Sequence, residues 1–138
     1  MKRLLLLIFG ILCLYSLNAQ CSLTIEITGI KRIKGNLYIA LFDSKEAYDH
    51  NRYKGKMIKV EAHKSKILFE DIIAGEYAVS VFQDENENGR LDTKIFGIPA
   101  EKYGYSNNVN AFKLRRRPTF DECKFEIKED TTISIQLR

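Results

Sequence analysis

The chain has a dominant apolar–polar period of two. In CSLTIEITGI, Cys21, Leu23, Ile25 and Ile27 fall on one face, while Ser22, Thr24, Glu26 and Thr28 fall on the other. CKFEIK repeats the pattern with Cys123, Phe125 and Ile127, and TTISIQLR repeats it with Ile133, Ile135 and Leu137. A strand with one face in a core and one in water produces this alternation. NLYIALFDS and GEYAVSVFQD are apolar at both parities, as strands covered on both sides are. MIKVEA and KILFEDI add two more strands, for about seven in all. Turn signals at Gly29, Lys34-Gly35-Asn36, His63 to Lys66, Ala74-Gly75 and Glu129-Asp130 separate them. Short strands at this spacing predict an all-β fold, an antiparallel β-sandwich of prealbumin-like or immunoglobulin-like type. Within SKEAYDHNRYKG, residues 44–55, there is room for a helical turn. Residues 93–120 carry Gly, Pro, Asn and aromatics with no sustained period. They predict one long ordered loop, because their aromatic content argues against disorder.

The N-terminal stretch changes the picture of where this sandwich works. MKRLLLLIFGILCLYSLNAQ places Lys2 and Arg3 before an apolar run from Leu4 to Leu17. A bilayer span needs about 20 apolar residues, so the run reads as a signal peptide, residues 1–19, cut after Ala19. Cys21 lies close enough to the run to raise a lipid-anchored form, but Gln20 stands where a lipobox has a small residue. A soluble exported protein, periplasmic or extracellular, is the expectation. Residues 20–138 then make a single domain. Loss of Lys2 and Arg3 lowers the formal net charge from +4 to +2, too mild a balance to imply nucleic acid. No second apolar segment is long enough to span a membrane. Cys21 and Cys123 share an inward parity, which in an oxidising compartment predicts a disulfide between them. Two buried thiols are the alternative.

Candidate chemistry concentrates in DENENGRLD, residues 84–92. A hard cation such as calcium takes several oxygen ligands, and a loop offering them at its first, third and fifth positions wraps one. Asp84, Asn86 and Asn88 hold those positions, Gly89 permits the reversal, Arg90 offers a backbone carbonyl and Asp92 follows at the ninth. The pattern is most of an EF-hand-type loop. The twelfth position is Ile95 instead of Glu, and the preceding AVSVFQ reads as a strand, so this is not an EF-hand. Glu85, Glu87, Asp121 or Glu122 would have to complete the coordination. The competing reading is an Asx-rich polar turn, since Asp, Asn and Gly are turn residues in any case.

VSVFQDENENGRLDTKIFGIPAEKYGYSNNV, followed by PTFDECKFEI, resembles the bacterial family catalogued as domain of unknown function 2141. The matching pieces are Asp84–Asp92, Phe96–Pro99, Tyr103–Asn108 and Pro118–Glu122, with GNLYIALFDS near the N-terminus. The resemblance covers nearly all of the expected mature chain. It implies export and a small β-sandwich, and it supplies no activity. Arg115-Arg116-Arg117 and Cys123 depart from the family pattern. The loop is also similar to calcium loops in prealbumin-like repeats of bacterial surface proteins, an analogy of site alone.

Other constellations are weaker. His50 and His63 read as surface residues. Ser106, His63 and Asp71 supply the residue types of a hydrolytic triad without its sequence signature. Phe96, Tyr103 and Tyr105, with Asn107 and Asn108, either line a ligand cleft or cap the sandwich core. Arg115–Arg117 is either a solvated run or an anion contact. The expectation is an exported, non-enzymatic module, stabilised by calcium in the 84–92 loop. The alternatives are a glycan- or peptide-binding protein using residues 96–117 and, more distantly, an unrecognised hydrolase.

Overall fold

The computed structural model describes residues 20–138; the expected signal peptide at 1–19 lies outside the described residues. Strands β1 (Gln20–Thr28), β4 (Ser65–Ile73) and β8 (Thr131–Gln136) form one sheet in the order β4-β1-β8. The second sheet runs β3 (Lys54–Lys59), β2 (Asn36–Phe42), β5 (Gly75–Asp84), β6 (Tyr103–Tyr105), with β7 (Phe125–Ile127) also paired to β5. The expected all-β sandwich therefore stands. Among the described residues it has eight strands, and one pair departs from antiparallel: β1 and β8 run parallel, aligning Ile25 with Ile133 and Ile27 with Ile135.

The period of two explains the core. Leu23, Ile25 and Ile27 of β1 face inward beside Ile67, Phe69 and Ile72 of β4 and Ile135 of β8. The opposite sheet answers with Leu37, Ile39, Leu41, Val79 and Val81. Each such side chain contributes about 1.5–3 kcal/mol when withdrawn from water.

Among the described residues there are three short α-helices: α1 (Lys45–Asp49), α2 (Ala111–Leu114) and α3 (Phe120–Cys123). Ser44 caps α1, and Thr119 with Glu122 forms a reciprocal capping box on α3. Helices α1 and α3 bring Tyr48, Phe120 and Cys123 onto Phe42 and Ala78, a second cluster on the outer face of the larger sheet. That cover is why β2 and β5 are apolar at both parities.

The same geometry corrects the disulfide expectation. Cys21 lies among the sandwich core residues of β1, whereas Cys123 ends α3 in the outer cluster. No disulfide joins them. The shared parity misleads because Cys123 is not in a strand; β7 begins two residues later.

Both open edges of the sandwich are tied. Lys54 Nζ donates to the carbonyls of Glu70 (2.9 Å) and Asp71 (3.1 Å), and Lys56 Nζ to that of Leu68, roping β3 to β4. At the other side, Tyr103 and Arg138 exchange backbone hydrogen bonds of 3.3 and 2.9 Å. Exposed strand edges invite pairing with other chains, and lysines are a common guard. Among the described residues no helix is long and apolar enough to cross a membrane.

Candidate functional site: a polar loop and an aromatic groove

β5 ends on Asp84, which is fully buried. Its Oδ1 accepts the Asn88 N–H at 3.2 Å and its Oδ2 the Gly89 N–H at 2.7 Å. A buried carboxylate needs such partners, because an unpaired one is expensive to desolvate. The backbone of Gly35, at φ +71°, presses so close that an added Cβ would sit 1.9 Å from the Asp84 carbonyl oxygen. Only glycine fits there.

The other expected ligands gather on Asp92. Asn86 Nδ2 reaches Asp92 Oδ2 at 2.6 Å, and Asn88 Nδ2 lies 2.9 Å from both carboxylate oxygens. These two amides, Asn88 first, hold the Asp92 carboxyl below the ordinary carboxylate range. Asn88 Oδ1 accepts the Arg90 N–H at 3.0 Å, and the Arg90 guanidinium stands 3.6 Å from Asp92. Asp84, Asn86, Asn88 and Asp92 thus form one hydrogen-bonded knot.

Glu101, which the spacing of the motif gives no reason to single out, closes this loop. Its Oε1 accepts the Glu85 N–H (2.9 Å) and its Oε2 the Asp92 N–H (3.1 Å), clamping entry to exit. Glu85 turns instead to Arg32 at 3.1 Å. Asp121 and Glu122 are engaged elsewhere, with Lys124 and Arg116 respectively. Among the described residues no group of three or more His, Cys, Asp and Glu side chains could hold a metal. Any ion here would rest on two carboxylates and neutral oxygens. Gln83, on the inward parity, uses its amide to hold the carbonyls of Arg32 and Lys34 at 2.8 and 2.9 Å. Its Oε1 has no hydrogen-bond partner among the described residues.

Beyond Asp92 the chemistry inverts. A short bridge between Thr93 and Pro99 carries Ile95 and Phe96 outward, 78% and 95% exposed. Across from it, α2 presents Phe112 at 74% exposure. Between them opens a groove of about 690 Å³, floored by Tyr103, Tyr105 and Ala111 and flanked by Arg115–Arg117. Tyr105 packs against the outer cluster, and burial raises its hydroxyl pKa. The aromatic residues therefore divide: Tyr103 and Tyr105 are half-buried floor, Phe96 is exposed rim.

Asn107 and Asn108 do not line the groove. Asn107 Nδ2 donates to the Glu122 and Lys124 carbonyls at 3.2 and 2.9 Å. Asn108 brackets β8, donating to the Ser134 carbonyl (3.1 Å) and accepting the Gln136 N–H (2.8 Å). Ser106 is buried, accepting the Val79 N–H (2.9 Å) and donating to the Cys123 carbonyl (2.6 Å). It stands in for a strand where β5 passes from β7 to β6. His63 is exposed, with Nδ1 2.8 Å from the Ile30 carbonyl. Burial pushes the Cys123 thiol up to about 11, a structural thiol in character.

The three arginines differ. Arg116 makes a two-pronged pair with Glu122, both contacts 2.8 Å. That pairing, with the Thr119 N–H, holds the Glu122 carboxyl down at about 2. Arg117 donates to the Tyr48 carbonyl (2.9 Å) and lies over the Tyr48 ring, 4.0 Å from its centroid. Arg115 is exposed and has no side-chain hydrogen bond or ion pair among the described residues.

Fold and site define a two-sheet β-sandwich with an Asx-rich loop at the end of a central strand. Residues 25–135 match the model of a family described as uncharacterized protein conserved in bacteria (DUF2141), and the chain belongs to that family. Comparison with curated proteins and with solved structures finds no match.

Proposed function

We propose that this protein is an exported, non-enzymatic β-sandwich module whose 84–92 loop is fixed by a calcium ion. The observation that carries the reading is the knot itself: the Asn86 and Asn88 amides converge on the Asp92 carboxylate, and the Asn88 N–H ties that cluster to Asp84. Every donor atom they offer a cation is oxygen, which suits a hard ion. Calcium would supply charge neutralisation for Asp84 and Asp92 and would pin the loop. With only two carboxylates the affinity belongs near the ~10⁻⁴–10⁻³ M of extracellular modules. Export rests on the leader sequence. The non-enzymatic reading draws support from Ser106, whose hydroxyl is spent on backbone groups.

Melting with calcium and with a chelator tests the loop. A bound ion adds RT ln(1 + [L]/Kd), about 2.7 kcal/mol at a hundredfold excess over Kd. Magnesium is expected to substitute poorly, since it demands a tight octahedral shell. Asp92→Ala is expected to abolish the calcium response, and Glu85→Ala to leave most of it. A metal-free protein whose melt ignores calcium returns the loop to a polar turn.

A second reading, ligand binding by residues 96–117, is favoured by one specific observation. The groove exposes Phe96 and Phe112 beside a cationic flank, and large exposed apolar surface marks binding sites.

A further inference from the structure

We infer that the groove between residues 91–99 and α2 binds an anionic amphiphile: one small molecule with an apolar body and a single carboxylate or phosphate head. This rests on the ligand-binding reading of residues 96–117 and is independent of calcium.

Shape comes first. At about 690 Å³ the groove falls within the roughly 300–1,000 Å³ of small-molecule sites. Its walls are Phe96, Ile98, Pro99 and Phe112 over the two tyrosines, so the body they accept is apolar or aromatic. A neutral glycan is disfavoured, because the charged side chains of the lining are all cations and a neutral ring leaves them uncompensated.

Charge supplies the second argument. The lining contains three arginines and no acidic residue. Arg116 is neutralised by Glu122, and Arg117 is committed to Tyr48. Arg115 brings its charge to the lining with no carboxylate paired to it among the described residues. A guanidinium presents a planar fork of donors that fits carboxylate and phosphate alike. An apolar trough ending in one unpaired guanidinium is complementary to an anion with an apolar tail. Exposure of the walls is costly in water, and such a ligand covers it.

The test uses residues 20–138 and soluble single-chain probes below their micellar concentration: dodecanoate, dodecyl phosphate and dodecanol, followed by calorimetry and by amide NMR shifts. The expected result is saturable binding of both anions, with shifts clustered on Tyr103, Tyr105 and Phe112. Arg115→Gln is expected to weaken the anions about tenfold or more and leave dodecanol unchanged. Phe96→Ala with Phe112→Ala is expected to abolish binding; both side chains are exposed, so the variant keeps its fold. Preference for one anion identifies the head as carboxylate or phosphate. Equal affinity for dodecanol and dodecanoate overturns the anion assignment while leaving the groove a binding site. Absence of saturable binding by all three probes overturns the binding reading itself. Sedimentation with phosphatidylglycerol vesicles, without binding of monomeric probes, overturns the single-molecule assignment in favour of a membrane surface.

Discussion

The 84–92 loop and the groove after it are neighbours in sequence and opposites in chemistry. In the loop, side-chain acceptors and backbone donors satisfy one another, from buried Asp84 to the Glu101 clamp. In the groove, Phe96, Phe112 and Arg115 lie open to solvent. A segment that answers its own polar groups is built to hold a shape. One that leaves apolar area and a cation uncovered is the surface on which the proposed ligand binding rests. The contrast separates residues whose loss is expected to destabilise the fold from residues whose loss is expected to leave it standing.

The largest blow to that contrast is Asp84→Ala, which strips two hydrogen bonds to a buried carboxylate. It is expected to cost about 3 kcal/mol in urea denaturation. Tyr105→Ala, removing floor from the groove and packing from the outer cluster, is expected to cost about 2 kcal/mol. A cost near zero would make the floor a movable part. Glu101→Ala, releasing both ends of the loop, is expected to cost about 1–2 kcal/mol and to raise hydrogen exchange at Glu85 and Asp92 together. Phe96→Ala belongs at the other end, with a change below about 0.5 kcal/mol.

Acid sharpens the picture at the arginine flank. The Glu122 carboxyl is depressed from 4.5 to about 2, so its charged form favours the fold. Its contribution is complete above pH 4.5 and disappears as pH falls through about 2. Melting curves of Glu122→Gln, which preserves the capping box, are expected to converge on wild type in that window. The Glu122 side chain is partly exposed and solvent screens the pair, so the effect is small.

Much of this was legible in the sequence. Alternation marked the strands, and double-sided apolarity marked β2 and β5 as central. Spacing singled out Asp84, Asn86, Asn88 and Asp92 as oxygen-bearing loop positions, but the amide contacts that gather Asn86 and Asn88 onto Asp92 are not written in it. β6 escaped because Tyr103–Tyr105 is too short to show a period; its middle residue, Gly104, is glycine because β8 crosses closely there. An added Cβ would lie 2.7 Å from Ile135 Cγ2. Cys123 was read onto a strand although Thr119-Phe120-Asp121-Glu122 carries the capping-box signature of a helix start. Glu101 and the parallel β1–β8 pair had no local trace, since each is a contact between segments that periodicity cannot connect.

That parallel pair also bears on how fast the structure can assemble. β1 meets β8 through residues 108 apart, as where Ser22 N–H donates to Asp130 at 2.8 Å. Closing so long a segment delays the reward until most of the chain is in place, and folds dominated by such pairings take milliseconds to seconds. The smaller sheet has only β4 against β1 until β8 docks, and a lone two-stranded ribbon is marginal in water. The rate of refolding should therefore follow the arrival of β8. An Ile135→Ala change in it is expected to slow the folding limb of a chevron plot if docking defines the transition state, and to speed only the unfolding limb if docking comes after it.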